Sequence, residues 1–316
     1  MFDSGILGPE AETVSTEWKA ISNELAKATE QAGAHVVAVH SEPRGSSSGV
    51  IWRPGVIVTA EHALRRDEEI QVTLPGGTVA SAKLAGRDRS TDLAVLKCPE
   101  VTAAASLGDS LSLRVGNVAL VVGRTRASGP VAALAFVSLV VRERRLWGGT
   151  TLAPYLRLDV ALQRTGVGGA VIDANGGIVG IATPRFSPGG AVALPVATVN
   201  RVVDALLEKG RIPRGYLGVG LQPVRLPENL RQVLQREGKS AAMVLEVETN
   251  GPAHKAGVVI GDILVALAGK PVMRLEDVQA HLLEGNIGQG ISAEFLRGGE
   301  KRIVSIVVGE RPNGGD

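Results

Sequence analysis

A histidine and an aspartate each stand beside an apolar run that is typical of a β-strand. His62 lies just after the run 56–59, and Asp92 directly precedes the run 93–96. An imidazole can take the proton of a hydroxyl nucleophile, while a carboxylate fixes the tautomer of that imidazole and stabilises its charged form. Taken alone, each residue is more typical of a surface or hydrogen-bonded core position. Together, and in this order, they are candidates for two members of a nucleophilic triad.

The elements that must position these residues are short aliphatic strands separated by turns. Apolar, β-rich runs lie at 36–39, 49–52, 56–59, 70–74 and 93–96. Glycine-rich turn signals, which tolerate the positive φ that tight hairpins demand, lie at 75–77, 175–177 and 188–190. The chain up to about residue 195 therefore predicts an all-β barrel or sandwich domain.

The longest apolar stretch is residues 131–141, which Ser138 interrupts. It is about half the length of the roughly 20 residues that are needed to cross a bilayer. We therefore interpret it as a buried strand and expect no transmembrane segment.

Beyond residue 195 the apolar pattern changes to helical spacing. Five aliphatic side chains recur every few residues before Gly210, namely Val199, Val202, Val203, Leu206 and Leu207. This pattern predicts an amphipathic helix that closes the first domain. The later chain mixes strand-like runs, such as 243–247, with a helix-like run near 276–283, which is typical of a small α+β domain.

The chain thus divides into four predicted parts. An amphipathic stretch at 18–31 makes the N-terminal segment, residues 1–30, partly helical and a candidate for an oligomer contact. The first domain covers residues 31–210, a linker covers 211–215, and the second domain covers 216–312.

Composition limits the classes of function. The 316 residues carry 34 Lys and Arg against 32 Asp and Glu, and a net charge of +2 gives no global electrostatic reason to bind nucleic acid or anionic lipid. The single cysteine, Cys98, cannot form an internal disulfide, and no cluster of Cys and His has the spacing of a zinc site, so no metal or cofactor is expected.

Residues 1–30 lack the apolar core of a signal peptide. The location is therefore open: cytoplasmic if the chain is complete, periplasmic or otherwise extracytoplasmic if it is a mature fragment.

Several motifs in a fixed order resemble the HtrA (Deg) family of trypsin-like serine proteases that carry a PDZ domain. In the first domain they lie at 45–51, 59–62, 90–96, 113–116, 159–162 and 168–171. The resemblance covers about residues 20–310. It implies a mostly β fold, in which a chymotrypsin/trypsin-like double β-barrel is followed by a small α+β PDZ domain. It also assigns His62 and Asp92 to the catalytic histidine and aspartate of the family.

The third member of the triad is where the sequence departs from the family. The family has Gly-Asn-Ser-Gly-Gly, whereas the chain has Thr165-Gly166-Val167-Gly168-Gly169, without a gap. Valine has no hydroxyl, so the resemblance implies that the nucleophile is lost. The oxyanion-hole donors of the family, which are the N–H groups of the serine and of the glycine two residues earlier, fall on Val167 and Thr165. A β-branched residue does not readily adopt conformations open to glycine, and two coordinated departures favour natural loss of catalysis over engineered inactivation.

Two other interpretations of these residues stay open. A hydroxyl from Thr165, Ser90 or Thr91 could replace the nucleophile, although each would need the turn rebuilt to reach His62. Alternatively, His62 and Asp92 persist only as a hydrogen-bonded pair that supports the barrels.

The second domain carries motifs of the PDZ domains of the family. Tyr216-Leu217-Gly218-Val219 resembles their carboxylate-binding loop, where successive N–H groups around a glycine form an anion site and the following strand offers its edge to a peptide. Further matches lie at 250–257, 261–264, 286–288 and 297–300.

The other wall of the peptide groove should be the helix-like run 275–283. Val278 and Leu282 lie one helical turn apart in this run and face either the ligand or the core. Peptide binding by this domain does not involve Val167, so it can be retained when proteolytic activity is lost.

These features predict a catalytically inactive, HtrA-like pseudoprotease that binds unfolded proteins or C-terminal peptides and acts as a scaffold, regulator or chaperone. The alternative is an active HtrA-like serine endopeptidase with a non-standard nucleophile or a rearranged site. A third possibility is a structural oligomer whose PDZ groove is closed. The resemblance further implies a homo-oligomer, often a trimer in the family, with Trp18 near a subunit contact.

Overall fold

The computed structural model describes residues 9–42, 45–64, 70–127, 129–142, 144–145, 151–152, 154–187, 189–213, 215–234, 238–279, 281–282 and 286–311. Contacts within the chain divide it into two compact units. The first unit comprises Met1–Arg142 and Ala153–Arg211, and the second comprises Glu143–Leu152 and Ile212–Asp316.

Six antiparallel strands of the first unit close into one barrel. They are β1 (Val36–Glu42), β2 (Gly45–Arg53), β3 (Val56–Ala60), β4 (Ile70–Thr73), β5 (Val79–Asp88) and β6 (Leu93–Lys97). The order around the barrel is β1-β2-β3-β6-β5-β4. Aliphatic side chains such as Val39, Ile57 and Leu96 fill its interior, because alternate residues of each strand point inward. Cys98 lies against this core, and burial raises the pKa of its thiol to about 11.

Six of the next eight strands close a second barrel. The eight strands are β7 (Val118–Thr125), β8 (Gly129–Val141), β9 (Arg144–Arg145), β10 (Thr151–Leu152), β11 (Tyr155–Leu158), β12 (Ala170–Ile172), β13 (Ile178–Thr183) and β14 (Ala191–Pro195). The barrel order is β11-β14-β13-β12-β7-β8, while β9 and β10 pair only with each other. The barrel alternative of the predicted all-β domain is therefore the correct one.

Residues 131–141 form a strand, as predicted, but the prediction that this strand is buried is wrong. Strand β8 does contain them, but within this stretch only Ala135 and Val137 are buried. Leu134 and Phe136 are 52% and 47% exposed. The reason is the period of the strand: one face of β8 lines the barrel and the other faces outward, whatever the polarity of its residues.

Two helices belong to the first unit. Helix α1 (Pro9–Gly33) precedes β1, and α2 (Val196–Lys209) follows β14. The predicted closing helix is confirmed, and its C-cap is Gly210, which has a φ of 70°. The guanidinium of Arg124 donates to the carbonyl oxygens of Gly33, at 2.7 Å, and of Val36, which ties the end of α1 to the second barrel.

The second unit adds a twisted antiparallel sheet and three short helices. Its remaining strands are β15 (Gly215–Tyr216), β16 (Val219–Arg225), β17 (Ser240–Val247), β18 (Ile263–Leu267), β19 (Lys270–Pro271), β20 (Gly290–Arg297), β21 (Glu300–Val307) and β22 (Gly309–Glu310). The helices are α3 (Glu228–Val233), α4 (Pro252–Lys255) and α5 (Leu275–Gln279). The main sheet has the order β16-β17-β18-β20-β21, so β16 is an edge strand. The predicted fold class, a double β-barrel followed by a small domain of strands and short helices, is confirmed.

The helix predicted over 275–283 is shorter in the structure. Helix α5 ends at Gln279, and the backbone N–H of Leu282 donates to the carbonyl oxygen of Gln279 at 3.0 Å, which is a turn rather than a continued α-helix. Within the described ranges, no helix is both long enough and apolar enough to cross a bilayer.

Candidate functional site

The structure brings His62 and Asp92 together. His62 lies in the 3₁₀ turn Glu61–Ala63, directly after β3, and its Nδ1 lies 2.9 and 2.8 Å from the two carboxylate oxygens of Asp92. The backbone N–H of His62 donates to the same carboxylate at 3.0 Å. The His62 side chain is 36% exposed, whereas Asp92 is fully buried. This is the geometry in which a carboxylate orients an imidazole and leaves its Nε2 turned toward an incoming group.

Asp92 is fixed by a residue that the sequence did not reveal. The hydroxyl of Thr183, at the end of β13, donates to Oδ2 of Asp92. The hydroxyl oxygen of Thr183 in turn accepts the backbone N–H of Arg185 at 3.1 Å. A single threonine at a strand end carries no sequence signal, and only the pairing of the strands brings it to Asp92.

A buried carboxylate and three guanidinium groups surround this pair. Oε1 of Glu61 lies 3.2 Å from Nη1 of Arg87 and 3.7 Å from Nε of Arg89. Nη1 of Arg185 lies 3.8 Å from Oε2 of Glu61 and 3.9 Å from Oδ1 of Asp92. A buried carboxylate needs such partners, since an unpaired buried charge is costly. None of these four neighbours was predicted from the sequence as part of the site.

The environment of His62 changes the affinity of its imidazole for a proton. The hydrogen bond to Asp92 raises the pKa of His62, and burial opposes this effect. The negative charges of Asp92 and Glu61 raise the pKa further, while the positive charge of Arg185 lowers it. The net result is a pKa above the ordinary value of histidine.

We expect substitutions around His62 to move its pKa in opposite directions. Asp92→Asn removes both the charge and the strongest hydrogen bond that raise the pKa, so the pKa of His62 should fall. Arg185→Ala removes a positive charge and should raise it. A pH titration of the His62 ring followed by NMR measures both shifts. A fall in the pKa with Arg185→Ala would contradict this account of the site.

The segment 164–169 forms a tight turn beside the pair. A 3₁₀ turn spans Arg164–Gly166, and the backbone N–H of Val167 donates to the carbonyl oxygen of Arg164 at 3.1 Å. Gly168 has a φ of 76°, and a Cβ built on it would lie 2.3 Å from the carbonyl oxygen of Ser48 and 2.8 Å from the backbone nitrogen of Ala60. Since Ala60 is two residues before His62, the turn that carries Val167 packs against the end of the strand that delivers the histidine.

The buried side chain of Ser48 stabilises the 164–169 turn through hydrogen bonds. The hydroxyl of Ser48 donates to the carbonyl oxygen of Thr165 at 2.6 Å and accepts the backbone N–H of Arg124 at 2.8 Å. Gly123 allows this close approach, because a Cβ at that position would lie 1.9 Å from the Thr165 oxygen. Ser48 belongs to a motif noted in the sequence, but its role as a support of the turn was not predicted.

The two hydroxyls considered as replacement nucleophiles near Asp92 are bonded elsewhere. Ser90 donates to both carboxylate oxygens of Asp88, at 2.7 and 2.8 Å, and Thr91 donates to Oδ2 of Asp88 at 2.7 Å. Neither hydroxyl is directed at His62.

In the second unit, the loop between β15 and β16 carries the predicted carboxylate-binding residues. Gly218 has a φ of 74°, and a Cβ there would lie 3.2 Å from the phenol oxygen of Tyr216, so this oxygen packs close to the glycine. The carbonyl oxygens of Leu217 and Gly218 accept backbone N–H groups of Ala253, at 2.8 Å, and Glu248, at 2.9 Å. The carbonyl side of the loop is therefore anchored to its own domain. Val219 begins the edge strand β16.

The two predicted wall residues differ in their positions. Val278, on α5, is buried in the core of the second unit, so its side chain is a core residue rather than a ligand contact. Leu282 is partly buried against the same core. Of this pair, Leu282 alone retains apolar surface of any size for a ligand.

An ion pair between a buried carboxylate and a partly exposed guanidinium stabilises the same domain. Arg297 donates from Nε and Nη2 to the two carboxylate oxygens of Asp262 at 2.7 and 2.8 Å. Burial alone would raise the pKa of Asp262, but the hydrogen bonds from Arg297 and from the N–H of Val259, with the charge of Arg297, hold the pKa below its ordinary value. This pair orders the loop that follows α4.

Comparison with known proteins covers both units. The family described as "Trypsin-like peptidase domain" matches residues 47–181, and the family described as "PDZ domain" matches residues 215–308. A "Probable periplasmic serine endoprotease DegP-like" of Rhizobium meliloti (strain 1021) is 32% identical over 279 residues, which cover 86% of this chain and 54% of the relative. The chain belongs to the HtrA (DegP-like) family of trypsin-like serine proteases with a PDZ domain.

Other members of the HtrA family agree with this assignment. "Protease Do-like 1, chloroplastic" of Arabidopsis thaliana is 30% identical over 292 residues, which cover 86% of this chain and 65% of the relative. The solved structure titled "HtrA-type protease AlgW with decapeptide" matches with a TM-score of 0.69 and 27% identity, over 92% of this chain and 99% of that chain. The serine endoprotease from Yersinia pestis matches with a TM-score of 0.67 and 26% identity, over 91% and 98%. The HtrA-family chain spans about half the length of the bacterial curated relatives it matches.

Proposed function

We propose that this HtrA-family chain is a pseudoprotease, which does not cleave peptides and instead binds unfolded proteins or C-terminal peptides through its PDZ domain. It would act as a scaffold, regulator or chaperone. The observation that carries the proposal is the sequence Thr165-Gly166-Val167-Gly168-Gly169, in which we assign Val167 to the serine position of the family motif. The packing of Gly168 against Ala60 supports this alignment, because it puts Val167 beside the strand end from which His62 projects.

The magnitude of the loss argues against residual proteolysis. Removing a triad serine from a well-studied protease costs about 10⁶ in kcat, or roughly 8 kcal/mol of transition-state stabilisation. Val167 offers no hydroxyl, and its branched side chain is buried beside the site. A scissile carbonyl must come within about 3–3.5 Å of a nucleophile, in the space that this side chain occupies.

The oxyanion donors give a second, independent argument. A donor must point at the position that the oxyanion will occupy, and losing one donor costs about 10²–10³ in kcat. The N–H of Val167 is committed to the carbonyl oxygen of Arg164, and Thr165 lies inside the same 3₁₀ turn. We therefore infer that the oxyanion hole is not formed, because the N–H that would line it is hydrogen-bonded within the turn.

The PDZ domain keeps the features that peptide binding needs. Strand β16 is an edge of its sheet and can accept a further strand. In the part of the second unit that the structure describes, the N–H groups of Leu217 and Gly218 have no acceptor in the chain, so they are free to bind a carboxylate. One related solved structure is titled as a complex with a decapeptide, which agrees with this proposal.

A second candidate function is an active serine endopeptidase with a relocated nucleophile. The relatives are named serine endoproteases, and the His62–Asp92 pair has the geometry of a working base. Against it, the hydroxyls of Ser90 and Thr91 are bonded to Asp88.

The periplasmic names of the bacterial relatives favour an extracytoplasmic location over a cytoplasmic one, and we propose a homo-oligomer, as the family resemblance implies.

Activity is tested with casein as an unfolded substrate and with a fluorophosphonate probe that labels activated serines. We expect neither cleavage nor labelling by the wild-type chain, since valine has no hydroxyl at the position that we assign to the nucleophile. The matched control is His62→Ala, which should behave identically. Sustained cleavage that His62→Ala abolishes would establish the endopeptidase instead.

Peptide binding is tested with an apolar decapeptide that ends in a free carboxylate and with the same peptide as its C-terminal amide. We expect the free acid to bind at least about tenfold more tightly, because only it can pair with the loop amides. Equal binding of the two peptides would remove the carboxylate site from the proposal. Failure of a C-terminal peptide library to bind at all would favour the structural oligomer with a closed groove.

A further inference from the structure

The charged groups around His62 are sorted by depth. The two carboxylates lie inside, since the side chains of Asp92 and Glu61 are 0% and 7% exposed. The guanidinium groups lie further out, in side chains that are 23%, 42% and 64% exposed, namely those of Arg87, Arg185 and Arg89. The surface of the site therefore presents positive charge, together with the half-exposed imidazole of His62.

The positive charge exceeds what the buried carboxylates require. Asp92 is hydrogen-bonded to His62, and Glu61 accepts a hydrogen bond from Nη1 of Arg87 at 3.2 Å. Nη1 of Arg185 lies 3.8 and 3.9 Å from the two carboxylates, which is longer than a hydrogen bond. Three guanidinium groups against two carboxylates leave one positive charge in excess, and protonation of His62 adds a second. Such a site attracts an anion.

Two of these groups have side-chain nitrogens available to a ligand. In the part of the chain that the structure describes, neither Nε2 of His62 nor the guanidinium of Arg185 makes a hydrogen bond. Both side chains lie against the same atom, because Oδ1 of Asp92 is 2.9 Å from Nδ1 of His62 and 3.9 Å from Nη1 of Arg185. The backbone N–H of Arg185 donates to the hydroxyl oxygen of Thr183, which fixes the base of the arginine side chain. The two groups therefore belong to one site.

We propose that this site binds an oxyanion, which is a carboxylate or a phosphate group, between the imidazolium of His62 and the guanidinium of Arg185. A guanidinium presents a planar fork of N–H donors that matches both groups, and an imidazolium adds the N–H of Nε2. A polypeptide supplies a carboxylate through an acidic side chain, whereas phosphate is a free ion. The recognition chemistry is the same for the two sources.

The anion site rests on the proposed function in one respect. The valine that we assign to the nucleophile position has no hydroxyl to compete for Nε2 of His62. The proposed peptide site of the PDZ domain is separate, since its loop belongs to the second unit. Cleavage of casein would overturn the pseudoprotease without affecting a measurement of anion binding. Absence of anion binding would remove this site and leave the argument from Val167 unchanged.

Binding is measured by NMR, from the ring resonances of His62 in the full chain at about pH 6. One arm adds inorganic phosphate, and the other adds a short peptide with blocked ends and a single glutamate. We expect a saturable shift with at least one of them, and the tighter ligand identifies the source. The same peptide with glutamine in place of glutamate is the control and should not shift the resonance. No saturable shift with either anion would overturn the proposal.

Arg185→Gln tests the second donor. This variant removes one charged hydrogen-bond donor and should weaken anion binding by about fivefold or more. The matched control is Arg114→Gln, which removes the same charge from an exposed arginine in the turn before β7 and should leave the affinity unchanged. Near-UV circular dichroism checks that both variants are folded, and Arg185→Lys keeps the charge without the fork if the glutamine variant is not. Equal weakening by Arg185→Gln and Arg114→Gln would refute a localised site.

The contribution of His62 is tested in the wild-type chain through pH. An anion that pairs with the imidazolium binds the protonated form more tightly, so by linkage it raises the pKa of His62. Its affinity should be highest below that pKa and should fall as the pH rises through it. The titration of the His62 ring is therefore recorded with and without the tighter ligand. The other charged groups of the site act in both titrations, namely Asp92, Glu61, Arg87, Arg89 and Arg185. An unchanged pKa of His62 at a saturating concentration of ligand would overturn the proposal.

Discussion

We expect a Val167→Ser variant to remain without measurable casein cleavage and the Thr165→Gly/Val167→Ser variant to gain it. The serine alone would supply a hydroxyl at the proposed nucleophile position, but the turn would still direct the N–H of residue 167 at the carbonyl oxygen of Arg164. Glycine at position 165 widens the accessible backbone conformations and lets the turn release that N–H. Since one missing oxyanion donor costs about 10²–10³ in kcat, we expect the double variant to exceed the single variant by at least about 100-fold.

Initial rates on casein, together with fluorophosphonate labelling, measure this difference. The control is His62→Ala in the double variant, which must abolish both signals if the recovered activity uses the original base. Strong cleavage by Val167→Ser alone would mean that the turn is no obstacle. A silent double variant would mean that Ser48 and Gly123 hold the turn closed without help from Thr165.

Gly168→Ala should be among the most damaging single substitutions in the first unit. Gly168 has a φ of 76°, and its new Cβ would lie 2.3 Å from the carbonyl oxygen of Ser48 and 2.6 Å from the hydroxyl oxygen of Thr59. Neither atom can move far, because both belong to barrel strands and Thr59 donates to that same Ser48 oxygen. We expect a loss of about 4 kcal/mol or more in the free energy of unfolding.

Gly189→Ala is the matched control for this substitution. Gly189 has nearly the same φ, 75°, but nothing lies within 4 Å of the Cβ that it would gain. The Gly189→Ala variant should therefore lose only about 1–2 kcal/mol in the free energy of unfolding, which is the cost of a positive φ for a residue with a Cβ. Urea denaturation of the two variants separates steric contact from backbone strain, and similar losses would contradict the close packing of Gly168.

The sequence was sufficient for the fold and for the central pair of the site. Short aliphatic runs, glycine turns and the motif order predicted barrels followed by a smaller domain, and strand ends predicted His62 and Asp92. Thr183 and Arg185 were missed because they reach the pair only through the closure of the second barrel. Such residues have no local pattern, since their role depends on strand pairing across a long stretch of chain.

Burial was the weakest part of the sequence interpretation. Strand β8 is apolar on both faces, so its composition did not reveal that Leu134 and Phe136 point outward. Likewise, helical spacing over 275–283 overestimated α5, whose described residues end at Gln279 and bury Val278 in the core. In both cases tertiary packing, rather than local preference, decides which side chains are covered.

The carboxylate of Asp92 accepts hydrogen bonds from both barrels. The backbone and ring of His62 approach it from the end of β3, and Thr183 approaches it from the end of β13. Replacing this carboxylate would leave buried donors of two sheets unpaired at once, a cost that is independent of any chemistry. Asp92 therefore stabilises the first unit through hydrogen bonds that do not depend on whether the chain cleaves peptides.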